Sequence, residues 1–569
     1  MKTVVCALNS QYVHSALAPW CLKAAADAWC TRPQEILVLE ATVNQPEEDV
    51  IARLLAEKAD VLAFCCYIWN WRFLERLLPR LAGKAAIVLG GPEVSFRASA
   101  VLEAFPEVTA VQTGEGERPF ALLLDRLAAG KPLAGIPGLC CRGESGHILC
   151  TPPAAPEPEP PSPYTPAYLA ALHGRIAYLE TSRGCPFSCG FCLSGREDSV
   201  RFFGLERAKK ELLLLANAGV QTVKLVDRTF NCHPGRAYEL IRFILEQRGR
   251  SFPASVRFHF EVAADLFDED TIGLLNGAPA GLFQLEAGLQ SFHAPTLEAV
   301  TRRTDLDKLC GNLQRLIAPG NVHVHIDLIA GLPHENLEQF AHSFDKAYAL
   351  QPHMLQLGFL KLLHGSRLRR EAAAYGYRYA DIPPYEVKGC PWMDEDDLAR
   401  LHRLEDALER LYNSGRFRLT LAYVLGQTGL RPFALFNGLA SYLHTHGVQT
   451  AGMALDAYTA LVQDYFRTLP GVETARLRDV MACDSLASSG VGRLPPCLHV
   501  EDKRLGRIKR VLAAQGPKGA RRGVAILYSL GERAVVAEYG ERDPITNRYA
   551  LRWAETANGG DAAGAVPPA

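Results

Sequence analysis

No stretch of the 569-residue sequence approaches the roughly eighteen consecutive apolar residues of a membrane-spanning helix, which argues against a membrane protein. Neither sign of charge is in excess: 61 Lys and Arg stand against 62 Asp and Glu, a net charge of -1. That balance removes any global pull toward nucleic acid or an anionic membrane surface. Also missing is a long apolar core followed by a small-residue cleavage site, since the N-terminal MKTVVCALNS reads as an immediate first strand. The 16 cysteines lack the regular spacing of a disulfide framework; most are isolated or adjacent, as in Cys65 with Cys66 and Cys140 with Cys141. A reducing compartment, and so a cytoplasmic protein, is expected. What is present is an ordinary globular composition, 48% hydrophobic and 22% charged, in a chain long enough for about three domains.

One short stretch concentrates chemistry. Residues 181–195, TSRGCPFSCGFCLSG, set Cys185, Cys189 and Cys192 in a C-x-x-x-C-x-x-C spacing just after an apolar strand-like run. Three thiolates on one loop can hold three irons of a four-iron, four-sulfur cluster, whose usual protein ligation is four Cys. The remaining iron is then open to a small molecule and can pass it an electron. A structural zinc site needs four closed ligands, commonly two C-x-x-C pairs, and no second pair occurs nearby. With Phe191 directly before the third Cys and a strand before the loop, the stretch resembles the cluster loop of radical S-adenosylmethionine (SAM) enzymes.

Residues 1–150 alternate apolar runs with helical pattern. Strands are expected at Thr3 to Leu8, Glu35 to Glu40, Val61 to Tyr67, Ala85 to Leu89 and Ala110 to Thr113, which argues a parallel, doubly wound, Rossmann-like α/β sheet. Ligands of such sheets sit beyond the carboxyl ends of the strands. Two of those ends are glycine-marked, Gly90-Gly91-Pro92-Glu93 and Gly114-Glu115-Gly116-Glu117. Alone, such turns close many strands that bind nothing. Ahead of the three-Cys loop, however, the unit resembles the cobalamin-binding domain of cobalamin-dependent radical SAM proteins, and the resemblance implies that GGPE and GEGE contact cobalamin. The D-x-H-x-x-G signature that supplies an axial His to cobalt is absent: the chain reads Asn9-Ser10-Gln11-Tyr12-Val13-His14 after the first strand. A degenerate domain without cofactor is the alternative.

Residues 152–166 hold eight prolines, so 151–169 is expected to be a semi-rigid linker that either spaces two domains or lies across a surface. From 170 to 375 six strands alternate with helices, at Ile176 to Glu180, Thr222 to Val226, Val256 to Val262, Leu282 to Glu286, His323 to Ile329 and Leu355 to Leu360. This suits a partial (β/α)6 barrel, with functional groups at the carboxyl ends of its strands. The segments there look like the successive SAM-contacting segments of the superfamily. They imply Phe191, Asp227, Glu261, Glu286, Gln290, Ser291, Ile329 and Gly331 as SAM contacts. Arg228 could reach SAM or substrate. Cys232 reads as a spare thiol or as a hydrogen donor or base.

Residues 376–555 change character. Asp394 to Asn413 is an amphipathic helix pattern, more helices follow around 432–445 and 452–467, and a hairpin is expected over Gly523 to Tyr539. The region, a mostly helical α+β domain, resembles the uncharacterised DUF4080-like domain of one subfamily. The basic run Lys503 to Arg522 reads as a solvated face. Residues 556–569 are expected to be a disordered tail.

The resemblance implies an enzyme in which a reduced [4Fe–4S] cluster splits SAM into methionine and a 5'-deoxyadenosyl radical, enclosed by the barrel, with cobalamin delivering a methyl group to an unactivated carbon or to phosphorus. Radical cyclisation, ring contraction or oxidation is an alternative; so are a methylthiotransferase and a non-enzymatic cobalamin or iron–sulfur carrier or sensor. Expected partners are a small-molecule or peptide substrate and an electron donor such as flavodoxin or ferredoxin, with neither nucleic acid nor membrane.

Overall fold

The computed structural model describes residues 1–195, 199–515 and 521–554. The apolar run at the start of the chain becomes the strand Lys2–Asn9, its Thr3 to Asn9 side chains all buried, because the sheet is covered on both faces. Parallel strands Glu35–Thr42, Val61–Cys65, Ala86–Gly90 and Val108–Gln112 complete it, in the order second, first, third, fourth, fifth. The order reverses between the first and third strands, and there the carboxyl ends splay to leave a crevice.

Two strands at the far edge, Leu139–Arg142 and Ile148–Cys150, run antiparallel and were not expected from the sequence. Their register puts Cys140 opposite Cys150, where the two form a disulfide. The cysteine pattern therefore does include one disulfide, which a separation of 10 residues did not reveal but strand pairing does.

The proline-rich segment lies across a surface. Glu157 accepts from Arg118 of the first unit at 2.8 Å, Glu159 accepts from the Gly204 amide of the second at 2.8 Å, and the Pro160 carbonyl accepts from Arg207 at 2.7 Å. A further tie is buried: Arg175 donates to the Tyr12 carbonyl at 3.0 Å and to Glu40 at 2.6 Å, clasping the two units.

Beyond it six parallel strands form an open barrel in sequence order, Ala177–Leu179, Thr222–Leu225, Arg257–Val262, Phe283–Gln290, His323–Ala330 and Met354–Phe359. Burial alternates with the pleat. In the fourth strand Phe283, Leu285, Ala287 and Leu289 are buried toward the helices, while Gln284, Glu286, Gly288 and Gln290 face the interior. The same period sends His259 and Glu261 inward from the third strand and Asp327 from the fifth. The barrel interior is therefore polar.

The expected helix at 394–413 is Glu395–Leu408, which continues into a π-helical turn, Glu409–Asn413. It packs on Pro432–Thr445 and joins the barrel's core. Helix Leu455–Phe466 follows, and Thr474–Ser488 carries the buried Asp484, which accepts from the Thr420 amide at 2.8 Å and pairs with Arg548 at 2.7 Å. The expected hairpin is present as Arg522–Leu527 against Arg533–Glu538, with Leu551–Trp553 as a third strand. The expected tail, 556–569, lies outside the described residues. Among the described residues, no helix is long and apolar enough to cross a membrane.

Glu335, fully buried beside the fifth strand, accepts from Ser291 at 2.6 Å and from Ser343 at 2.9 Å. Burial pushes its carboxyl up to about 7, against those hydrogen bonds. A folded-state value above the unfolded one means the folded chain binds the extra proton, so this stability is present at acid pH and is lost as pH rises toward and past 7. Chemical denaturation between about pH 5 and 8 should show stability falling by an amount on the order of 3 kcal/mol from this group. Glu335→Gln, neutral throughout, should flatten that slope.

Candidate functional site

The cluster loop is anchored before its first cysteine. Ser182–Gly184 pairs antiparallel with Val200–Phe202, and Gly184 sits at φ +94, where a Cβ would lie 2.3 Å from the Ser199 carbonyl oxygen. Cys185 and Cys189 are buried and Cys192 is partly so. The Cys185 sulfur is 3.4 Å from the Thr229 hydroxyl, Cys192 accepts from the Ser194 amide at 3.4 Å, and an Arg302 Nη lies 3.8 Å from the Cys189 sulfur. Burial raises the Cys189 thiol, and Arg302 partly offsets that.

All three cysteines line one cavity of about 180 Å³ at the carboxyl end of the barrel, together with Phe191, Glu261, Glu286 and Gln290. Gln290 holds φ +73, a backbone region that costs a non-glycine residue free energy, and its Oε1 is buried with no partner. Arg302 Nε is likewise orphaned. Gln290, an amide, and Arg302, a guanidinium, both line the cavity and suit the ammonium and carboxylate of an amino-acid ligand such as the methionyl end of SAM.

Four of the residues expected at SAM do not line this cavity. Ser291 is fully buried and turned away to Glu335, because the ladder between the fourth and fifth strands slips at Gly288 and Gln290 and ends the alternation there. Asp227 accepts from the Thr181 and Ser182 amides at 2.7 and 3.1 Å, bracing the base of the cluster loop. Ile329 and Gly331 do not line the cavity, and the Gly331 carbonyl accepts from Tyr377 at 3.0 Å.

Below the cavity runs a charged network. Glu286 accepts from Lys224 at 3.1 Å and meets His259 at 2.9 Å. Burial alone would raise its carboxyl, but His259 and Lys224 outweigh it and bring it to about 2. Burial also lowers the His325 imidazole, and Asp327, at 2.8 Å, more than reverses this. Glu286, His325 and Asp327 hold their ligand atoms within 4.8 Å of one another. Lys224 and His259 both meet Glu286 at Oε2, which ties the group into a charge-paired network.

A second cavity, about 590 Å³, opens at the switch point of the first sheet. Gly90, Gly91, Gly114, Gly116 and Glu117 line it; Pro92, Glu93 and Glu115 do not. Gly91, at φ +114, would carry a Cβ 2.5 Å from the Cys66 carbonyl oxygen, so only glycine fits. Glu93 is buried against Arg97, at 2.6 Å, and the Tyr385 hydroxyl. The glutamates of GEGE meet the cluster loop: Arg183, of the TSRGC string, reaches Glu115 at 2.9 Å, Glu117 at 2.5 Å and Glu180 at 2.8 Å, while Arg201 reaches Glu115 at 2.5 Å. Glu115 and Glu117 thus serve as counter-charges to the arginines of the cluster loop.

His14 lines the same cavity with Nδ1 2.7 Å from the Tyr178 hydroxyl. Tyr67 and Trp69 stack there with centroids 4.3 Å apart, and the aromatic run YIWNW after the third strand is the signal that could have found them. Arg302 carries no motif; only the fold brings it to the cysteines.

Arg183→Ala would strip Glu117 and Glu180, at a largely buried point, of their cation, while Glu115 would keep Arg201. It should cost about 3–5 kcal/mol in denaturation experiments. Removing the exposed Arg76 partner of Glu47 should cost under about 1 kcal/mol.

A B12 binding domain model matches residues 4–124, a Radical SAM superfamily model residues 179–347, and a protein of unknown function model, DUF4080, residues 373–517. The cobalamin-dependent radical SAM methyltransferase TokK of Streptomyces tokunonensis is 30% identical over 329 residues, 54% of this chain and 46% of that protein. The 2-(S-pantetheinyl)-carbapenam-3-carboxylate methyltransferase of Streptantibioticus cattleyicolor is 30% identical over 311 residues, 49% of this chain and 44% of that protein. The chain therefore spans less than half the length of these relatives. The fold resembles the cobalamin-dependent SAM radical enzyme OxsB with aqua-cobalamin and SAM bound, at a TM-score of 0.57 and 15% identity, covering 91% of this chain and 81% of that one. The B12-binding match implies cobalamin, and the radical SAM match implies a [4Fe–4S] cluster and SAM. In order along the chain, then, stand a B12-binding domain, a radical SAM domain and a DUF4080 region.

Proposed function

We propose that the protein is a cobalamin-dependent radical SAM enzyme that transfers a methyl group to an unactivated carbon or to phosphorus of a small-molecule or peptide substrate. The observation that carries this reading is the adjacency of two cavities. One is walled by Cys185, Cys189, Cys192 and the orphaned Gln290 and Arg302 groups; the other opens at the glycine-marked strand ends of the first sheet, and Arg228 lines both. When bound, the cluster and SAM supply a carbon radical and cobalamin supplies a transferable methyl group.

The chain's own groups bind, orient and shield. Cys185, Cys189 and Cys192 would ligate three irons. Gln290 and Arg302 would hold the methionyl end of SAM, with Phe191 and Glu261 beside it. Gly90, Gly91, Gly114 and Gly116 leave the backbone bare so that a planar macrocycle can approach closely. Glu286, charged at neutral pH, keeps Lys224 and His259 fixed under the reaction space. Our division of the chain is 1–150, 151–169, 170–375 and 376–555, the last of unassigned role, with a flavodoxin or ferredoxin as electron donor in a cytoplasmic setting.

Anaerobic reconstitution with iron, sulfide and cobalamin should give the absorbance of both cofactors. The reduced protein with SAM should then form 5'-deoxyadenosine, and with substrate S-adenosylhomocysteine, with the methyl label of SAM appearing in product. Neither molecule appearing would refute the reading. Label-free product would favour cyclisation or oxidation. Cys189→Ala should lose cluster iron and SAM cleavage while cobalamin absorbance persists.

A further inference from the structure

Arg228 is the residue that lines both cavities, and its surroundings set it apart from the other cations in those walls. Its backbone is pinned on either side. Asp227 accepts two backbone amides and the Thr181 hydroxyl, and the Thr229 hydroxyl lies 3.4 Å from the Cys185 sulfur. The side chain between them is 55% exposed. Among the described residues it donates no hydrogen bond, and its nearest carboxylate, Glu261, is 3.9 Å away. Glu261 has a second cation in Lys224 at 3.6 Å, so it keeps a partner when Arg228 is engaged elsewhere.

The other wall arginines are committed. Arg183 is saturated by three carboxylates, and Arg302 donates to the Gly288 carbonyl at 2.6 Å and, in the function proposed above, holds the methionyl end of SAM. A guanidinium offers five donors in a fixed planar fork that matches two oxygens of a carboxylate or phosphate. A free fork held at the boundary of two cofactor cavities faces the place where a molecule must lie if it is to be activated from one side and modified from the other.

We infer that Arg228 is the substrate anchor: the substrate carries an anionic group, a carboxylate or a phosphate, which Arg228 grips bidentately so that the adjoining carbon or phosphorus centre lies between the two cavities. This rests on the function proposed above and specifies its substrate class. No bond forms or breaks at Arg228; it is a specificity-determining residue.

The test uses the holoprotein loaded with cluster, SAM and cobalamin, titrated calorimetrically at low ionic strength with sodium acetate and, separately, with inorganic phosphate. One of the two anions should bind the parent protein, acetate marking a carboxylate-bearing substrate and phosphate a phosphorylated one. Arg228→Gln should weaken that binding about tenfold or more, the loss expected for a charge-assisted contact. Arg228→Lys should keep part of it, and cobalamin absorbance and SAM affinity should stay unchanged in both variants. No anion binding by the parent holoprotein, or equal affinity in Arg228→Gln, overturns the assignment. Loss of SAM or cobalamin from Arg228→Gln overturns it too, by making Arg228 a cofactor contact. A parent protein that takes up neither cluster nor cobalamin overturns the function proposed above, and this inference falls with it.

Discussion

A buried positive charge holds the two halves of the chain in register. Arg183 enters the sequence one residue before Gly184 and two before the first cluster-loop cysteine, and it is surrounded by carboxylates from both units, Glu115 and Glu117 on one side and Glu180 on the other. Each of those groups alone would pay heavily to leave water; together they are neutralised by a guanidinium that presents its donors in one plane. Burial raises the Glu180 carboxyl, with Arg183 as the largest opposing influence. The position of the cysteine loop against the first sheet is therefore set by electrostatics before any cofactor is considered.

Much of the architecture was legible in the sequence. Five parallel strands of the first sheet and six of the barrel fall where apolar runs and turn signals put them, because both sheets are covered by helices and their strands stay apolar on the covered face. The edge strands around Cys140 and Cys150 were not legible: a four-residue and a three-residue strand carry too little periodicity, and only pairing defines them.

The site was legible unevenly, for a physical reason. Residues that act through their position in a loop motif, such as the three cysteines and Phe191, stand together in space as they do in sequence, and Glu261, Glu286 and Gln290 join them at strand ends. Ser291 shares its string with Gln290 but not its direction, since a register slip turns one side chain inward and the next toward Glu335. Glutamates of GEGE looked like ligand contacts because a strand end is where ligands sit, yet their partners come from a segment about seventy residues later. Arg302, 113 residues from Cys189, illustrates the complement: a residue with no motif that topology alone delivers.

The proline-rich segment between the units is bound along its length to both of them, at Glu157, Glu159 and Pro160, while Arg175 ties Tyr12 and Glu40 to the start of the barrel. Many proteins with two active centres carry reacting groups between them on a swinging tether. Here the tether is strapped down, so the distance between the cavities is a property of folding. Under the function proposed above, passage between the two falls to the substrate, and the chain's task is to be stiff.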